Sequence, residues 1–133
     1  TRISREAAGV FDTVAKARDL AVDYIGQSLA AGRSLSGREV DREVRAFLER
    51  SGYGANLRHR TGHGIDQEVH GFGVNLDSVE FPDPRLLLEG SCFSVEPGVY
   101  LVEFGMRSEI NVYISGGKPV VSGKKPQYEL LRF

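Results

Sequence analysis

The sequence predicts an α+β fold, and three observations carry that prediction. Apolar residues recur at helical spacing up to Ser51. Beyond Gly54 that periodicity is gone, and glycine, proline and strand-forming residues take over. The helical part therefore comes first and an antiparallel-type sheet second.

The first helix is expected over residues 4–31. Ala7, Val10, Val14, Ala17, Ala21 and Tyr24 recur three and four apart, and Phe11 and Ile25 widen the face. Ser4 suits the cap and Gly32 the stop. A second helix should start at Ser36, because Ser36-Gly37-Arg38-Glu39 has capping-box form. Its apolar face is Val40, Val44, Phe47 and Leu48, and it should end at Ser51-Gly52. Strands are expected near 56–59, 63–65, 92–101, 107–115, 118–122 and 128–133. Turns should fall at Pro82-Asp83-Pro84, Glu89-Gly90, Pro97-Gly98 and Ser115-Gly116-Gly117. Residues 71–90 read as a polar, loop-like crossing. There is no internal repeat, and residues 1–133 are read as a single domain.

Composition is that of an ordinary globular chain: 41% hydrophobic, 26% charged and a net charge of -1 over 133 residues. Nothing in it calls for nucleic acid. The most basic stretch, Arg33 to Arg60, reads as a solvated helix face. No apolar run approaches the ~18 residues of a membrane span, and nothing at Thr1 has signal-peptide form. Cys92 is the only cysteine, so it has no internal disulfide partner. It reads as an inert buried thiol, and a reducing, cytoplasmic location fits. A chain that opens on Thr1 reads as a processed product or a fragment.

The chemistry-bearing residues lie in the second half. The histidines, His59, His63 and His70, fall within twelve positions. Alone they are read as polar surface or as a site. Gly62 and Gly64 favour a site, because glycines on both sides of His63 imply close packing or an unusual backbone. Glu96 sits in Phe93-Ser94-Val95-Glu96-Pro97, where a buried carboxylate needs a cation or a hydrogen-bond network. Pro97 biases it toward extended backbone. Glu109 has the same problem. The alternative is that Glu96 or Glu109 forms an ion pair with Arg107, which lies two positions from Glu109 on the same strand face. One imidazole and two carboxylates suit Mn, Co, Zn or Fe.

Three segments, in order, carry a resemblance. They are Asn56-Leu57-Arg58-His59-Arg60-Thr61-Gly62-His63-Gly64-Ile65-Asp66-Gln67-Glu68-Val69-His70, Ser94-Val95-Glu96-Pro97-Gly98-Val99-Tyr100, and Phe104-Gly105-Met106-Arg107-Ser108-Glu109-Ile110-Asn111. They resemble the M24 metallopeptidases, the pita-bread enzymes. Those include Xaa-Pro aminopeptidase, Xaa-Pro dipeptidase (prolidase), methionine aminopeptidase and the metal-free creatinase. The resemblance runs from about residue 5 to the end. The start of the first segment and Val69-His70 look more like the Xaa-Pro branch than like methionine aminopeptidase.

The resemblance implies the C-terminal half of a pita-bread domain, two helices followed by a curved, mainly antiparallel sheet. His63, Glu96 and Glu109 would be metal ligands, with Glu109 bridging. His59 and His70 would line the substrate pocket, Glu96 would shuttle a proton, and Arg107 would orient the carboxylates. The implied reaction is metal-dependent hydrolysis of the bond between an N-terminal residue and proline. The substrate would be a short peptide with proline second. The family site holds two ions through two further aspartates from an upstream strand pair. Thr1-Arg2 resembles the dipeptide just after them, and Asp12, Asp19, Asp23 and Asp41 lie on helices and do not replace them. At most one ion (Mn, Co or Zn) is expected here, with a second copy or a complementing N-terminal half as partner. Asp66, where the family usually has Gly, is expected to disturb a tight turn. Gly71 and Asn111 stand where acids are common. The other reading of the resemblance is a non-catalytic peptide- or protein-binding module.

Overall fold

The structure is a computed structural model and describes residues 2–132. The Thr1 side of the Thr-Arg opening and the Phe133 end of the last expected strand lie outside the described residues.

Helix α1 spans Arg5–Ala30, and Ser4 Oγ accepts from Ala7 N at 3.0 Å. The expected stripe is the buried one: Val10, Val14, Ala17, Ala21 and Ile25 are all fully buried. Burying each larger aliphatic side chain contributes about 1.5–3 kcal/mol. Arg18 lies within this stripe and is also fully buried. Its Nη1 donates to Ser108 Oγ (2.7 Å) and Gln127 O (2.8 Å), tying the helix to the sheet side. Helix α2 spans Gly37–Arg50. Glu39 reaches back and accepts from Ser36 N (2.8 Å) and Ser36 Oγ (2.7 Å), which offsets the unsatisfied donors of the first turn. Val40, Val44 and Leu48 enter the core, whereas Phe47 only packs against it.

The strands are β1 (Cys92–Val95), β2 (Gly98–Tyr100), β3 (Gly105–Arg107), β4 (Ile110–Ser115) and β5 (Lys118–Val121). They form antiparallel sheets in the orders β1-β4-β5 and β2-β3. The expected strand at 92–101 is thus broken at Glu96-Pro97, and that at 107–115 at Ser108-Glu109. Pro97 has no N–H to give to a ladder, and only a long bond, Ser108 N to Pro97 O at 3.4 Å, spans the gap. Phe93, Val95, Val99, Val112 and Ile114 pack under α1 and α2 in one core.

Other expectations are corrected. Residues 56–59 form no strand: Gly54–Asn56 is a 3-10 turn, and the following backbone is held by side chains instead. Residues 63–65 are not a regular strand but are bridged to one. No strand occupies 128–132. Cys92 is half-buried, not buried. The crossing 71–90 is irregular, as expected, but internally fastened. The fully buried Asp77 carboxylate accepts from Val79 N (2.9 Å) and Glu80 N (3.1 Å). Asp83 accepts from Asn75 N (2.8 Å) and from Arg85 Nη2 (2.6 Å), and the same Nη2 donates to Gly73 O (2.8 Å).

Candidate metal centre

The segment around His63 is threaded between two neighbours. On one side Glu96 N donates to Thr61 O (2.7 Å), Ser94 N to His63 O (2.9 Å) and Ile65 N to Cys92 O (2.9 Å). On the other, Gly62 and Leu76 exchange bonds of 3.2 and 3.1 Å. A Cβ on Gly62 would fall on Ser94 O, and one on Gly64 on the Gly73 backbone. Neither glycine has positive φ. Of the two sequence readings, close packing is the correct one.

His63 is 6% exposed. Its Nδ1 lies 3.1 Å from Gly64 O, a carbonyl that only accepts, so Nδ1 carries the proton. In the neutral ring Nε2 then has a free lone pair, the form in which imidazole binds metals. That Nε2 lies 3.6 Å from Glu96 Oε2.

Val95 pairs with Ile110 and Gly98 with Arg107. Continuing this common register across the break sets Glu96 opposite Glu109. Like charges directly opposite are destabilising. The Glu109 carboxyl accordingly sits above the usual carboxylate range, first through its hydrogen bond with Glu96, then through burial and the Glu96 charge. His63 and Arg107 offset this only in part. One atom each from His63, Glu96 and Glu109 lie within 4.8 Å of one another, and among the described residues no other such group converges. A divalent cation is what this donor set fits: it relieves the carboxylate pair and takes the free Nε2.

The remaining expected residues surround this trio. Arg107 Nη1 lies 3.7 Å from Glu96 Oε1, so its ion pair is with Glu96; the alternative of a close Glu109–Arg107 pair is not what forms. His70 is exposed, its ring centroid 4.3 Å from that of His63. His59 is half-buried and turned to another partner. Its Nδ1 meets Arg60 O (2.7 Å), and its Nε2 accepts from the Tyr100 hydroxyl at 2.6 Å. Burial, chiefly, holds His59 below the ordinary imidazole range. The Tyr100 oxygen accepts from Arg107 Nε (2.9 Å) and Nη2 (2.8 Å). A polarised chain therefore runs from His59 through Tyr100 and Arg107 to Glu96.

Sequence reasoning missed Tyr100, Asp41 and Arg45. Tyr100 lies four residues after Glu96, hence on the same strand face, which was a usable signal. Asp41 was readable as a carboxylate inside the apolar stripe of α2, next to Val40 and one turn from Val44. It is fully buried and accepts from Thr61 and Ser78. Arg45, read as solvated, has a side chain only 17% exposed and donates to His59 O at 2.8 Å. Asp66 does not disturb the turn it occupies. Its carboxylate accepts from Glu68 N (2.8 Å) and Phe72 N (3.0 Å), and those amides hold it below the usual range. Gly71 packs where a Cβ would meet that carboxylate. A concavity of about 920 Å³ lies between the start of α1 and residues 128–132, away from the trio. A smaller open one, about 470 Å³, adjoins Glu109 and includes Lys125 and Gln127.

Known proteins resemble this chain in sequence and in fold. The profile of metallopeptidase family M24 matches residues 2–116. An Xaa-Pro dipeptidase of Lactobacillus delbrueckii subsp. lactis is 41% identical over 81 residues, 60% of this chain and 21% of the relative. The solved Xaa-Pro dipeptidase of Bacillus anthracis is 28% identical with a TM-score of 0.82, over 96% of this chain and 33% of that one. An X-Pro aminopeptidase of Thermotoga maritima is 28% identical with a TM-score of 0.81, over 96% and 34%. The chain thus spans between a fifth and about a third of the length of these relatives. Its fold is the pita-bread α+β arrangement of two helices and antiparallel sheets.

Proposed function

The chain belongs to metallopeptidase family M24, and from that premise we propose that residues 1–133 form one partial catalytic domain with the His-Glu-Glu part of an Xaa-Pro peptidase site. The observation that carries the reading is the convergence of His63, Glu96 and Glu109 within 4.8 Å. The reaction is hydrolysis of the bond between an N-terminal residue and proline in a short peptide. The relatives' names, Xaa-Pro dipeptidase and X-Pro aminopeptidase, support it.

His63, Glu96 and Glu109 would hold one divalent ion here: Mn, Co or Zn. Such an ion supplies a Lewis acid and a water acidic enough to ionise near neutral pH. The chain's own residues do the rest. Glu96, 13% exposed beside Arg107, accepts the water's proton and passes it to the leaving amine. Arg107, 3.7 Å away, keeps that carboxylate aimed. His70, exposed next to His63, is placed to hydrogen-bond the peptide or its developing oxyanion. His59 serves the same pocket, with its neutral form favoured by burial. The two remaining aspartates of the family's dinuclear site would come from an N-terminal half or a second copy. A cytoplasmic location belongs to the same proposal, supported by the lone half-buried thiol of Cys92. No helix among the described residues is long and apolar enough to cross a membrane. A module that only bound peptides would gain nothing from opposing two carboxylates.

The test is hydrolysis of Xaa-Pro against Xaa-Ala dipeptides in Mn, with the chain alone and with an upstream half added in trans. Cleavage selective for proline, lost in Glu96→Gln, is expected with the added half. No cleavage under either condition contradicts the proposal.

A further inference from the structure

We infer that Thr61, gripped by the buried Asp41 of α2, is a positioning residue that sets the spacing of His63 and Glu96 for metal. This rests on the reading of the trio as a metal site. Asp41 is fully buried, at 0% relative exposure. Its two oxygens divide the work. Oδ1 accepts from Thr61 N (2.8 Å) and Thr61 Oγ1 (2.6 Å). Oδ2 accepts from Ser78 N (2.8 Å), Ser78 Oγ (2.6 Å) and Arg45 Nε (2.9 Å). A buried carboxylate with this many donors, one of them cationic, is held rigidly.

The consequence lies on the far side of Thr61. Its carbonyl accepts from Glu96 N at 2.7 Å, and two residues on, His63 O accepts from Ser94 N at 2.9 Å. His63 N in turn donates to Ser94 Oγ at 3.0 Å. Thr61 thus has its N–H and hydroxyl fixed to a helix and its carbonyl fixed to the backbone of a candidate ligand. Helix α2 sets the height of Thr61, and Thr61 sets where His63 and Glu96 lie along each other. Groups that orient ligands from outside typically matter about 10–100-fold in metal affinity. The Ser78 arm of the same carboxylate leads into the 71–90 crossing, which bonds Gly62 and Gly64 beside His63 but makes no bond to Glu96, whose backbone is held by Thr61.

That asymmetry makes the test. Mn²⁺ affinity is measured by calorimetry, and metal-free Tm by thermal denaturation, for wild type, Thr61→Val, Thr61→Ser and Ser78→Ala. Thr61→Val and Ser78→Ala each remove one hydroxyl from Asp41, so both should lower Tm. Only Thr61→Val should weaken Mn²⁺, by about 10–100-fold, with Thr61→Ser close to wild type. If the second methyl of valine prevents folding, Thr61→Ala carries the same comparison. Equal loss of Mn²⁺ affinity in the Thr61 and Ser78 variants, or loss in neither, overturns the inference while leaving the metal site standing. A wild type that takes up no Mn²⁺ overturns the metal site and this inference together.

Discussion

At the residue scale, the site is defined by a conflict between two carboxylates. Glu96 and Glu109 face each other, and the Glu109 proton is held more tightly than in the unfolded chain. A raised folded-state pKa gives stability that is complete at low pH and is lost as pH rises through that pKa. Glu109→Gln removes this dependence. Without metal, Glu109→Gln should melt above wild type at neutral pH, and the gap should close below the ordinary carboxylate range. A gap that persists in acid would contradict the pairing. With metal the order inverts, because the variant has lost a ligand; its Mn²⁺ affinity should fall by at least the roughly 100-fold that loss of an outer partner can cause. The glycines give a second residue-scale prediction. Gly62→Ala should destabilise by about 3 kcal/mol, because its Cβ falls on Ser94 O; thermal denaturation reads this, and an unchanged Tm would refute the close approach. Much of this was legible in the sequence. Glu96 before a proline and His63 between glycines announce themselves by what they cost. Tyr100 and Asp41 signal more weakly: a tyrosine on the Glu96 face and an acid in an apolar stripe can be noticed, but neither names its partner.

At the element scale, the helices were readable and the strands only partly so. Both helices have an apolar stripe and a capping residue, signals that act within a few positions. The strands depend on distant pairing. The interruption at Glu96-Pro97 and Ser108-Glu109 lies within one continuing register, so a sequence pattern sees two long strands where the structure has four short ones. The crossing 71–90 shows the other limit. It looks like a free loop, yet Asp83 fastens it. Burial pushes the Asp83 carboxyl up, but the Arg85 side chain and the Asn75 and Arg85 amides outweigh that and hold it below the usual range. A depressed pKa gives stability present above the unfolded value and lost as pH falls through the folded one. Protection of the Asn75 amide, the slowing of its exchange relative to an unstructured peptide at the same pH, should therefore fall in acid, and in Asp83→Asn should already be low at neutral pH. Slow exchange at neutral pH in that variant would mean the Asp83 bonds are not what orders the crossing.

At the scale of the whole molecule, this chain is a piece of surface as much as a core. Phe72 is 92% exposed, Phe81 76%, Val69 71% and Leu88 62%, an apolar concentration along 69–88 unusual on a free monomer. Self-association is the expected outcome: sedimentation velocity should show a sedimentation coefficient that rises with concentration, and a constant monomer value would contradict it. The central claim is narrower, that His63, Glu96 and Glu109 together hold a divalent ion. Titrating Mn²⁺ into the metal-free chain by electron paramagnetic resonance, with His63→Ala beside it, tests that claim most directly. The account predicts one bound ion per chain in the wild type and no bound ion in the variant. Free Mn²⁺ throughout the wild-type titration, or equal binding by the variant, would contradict it.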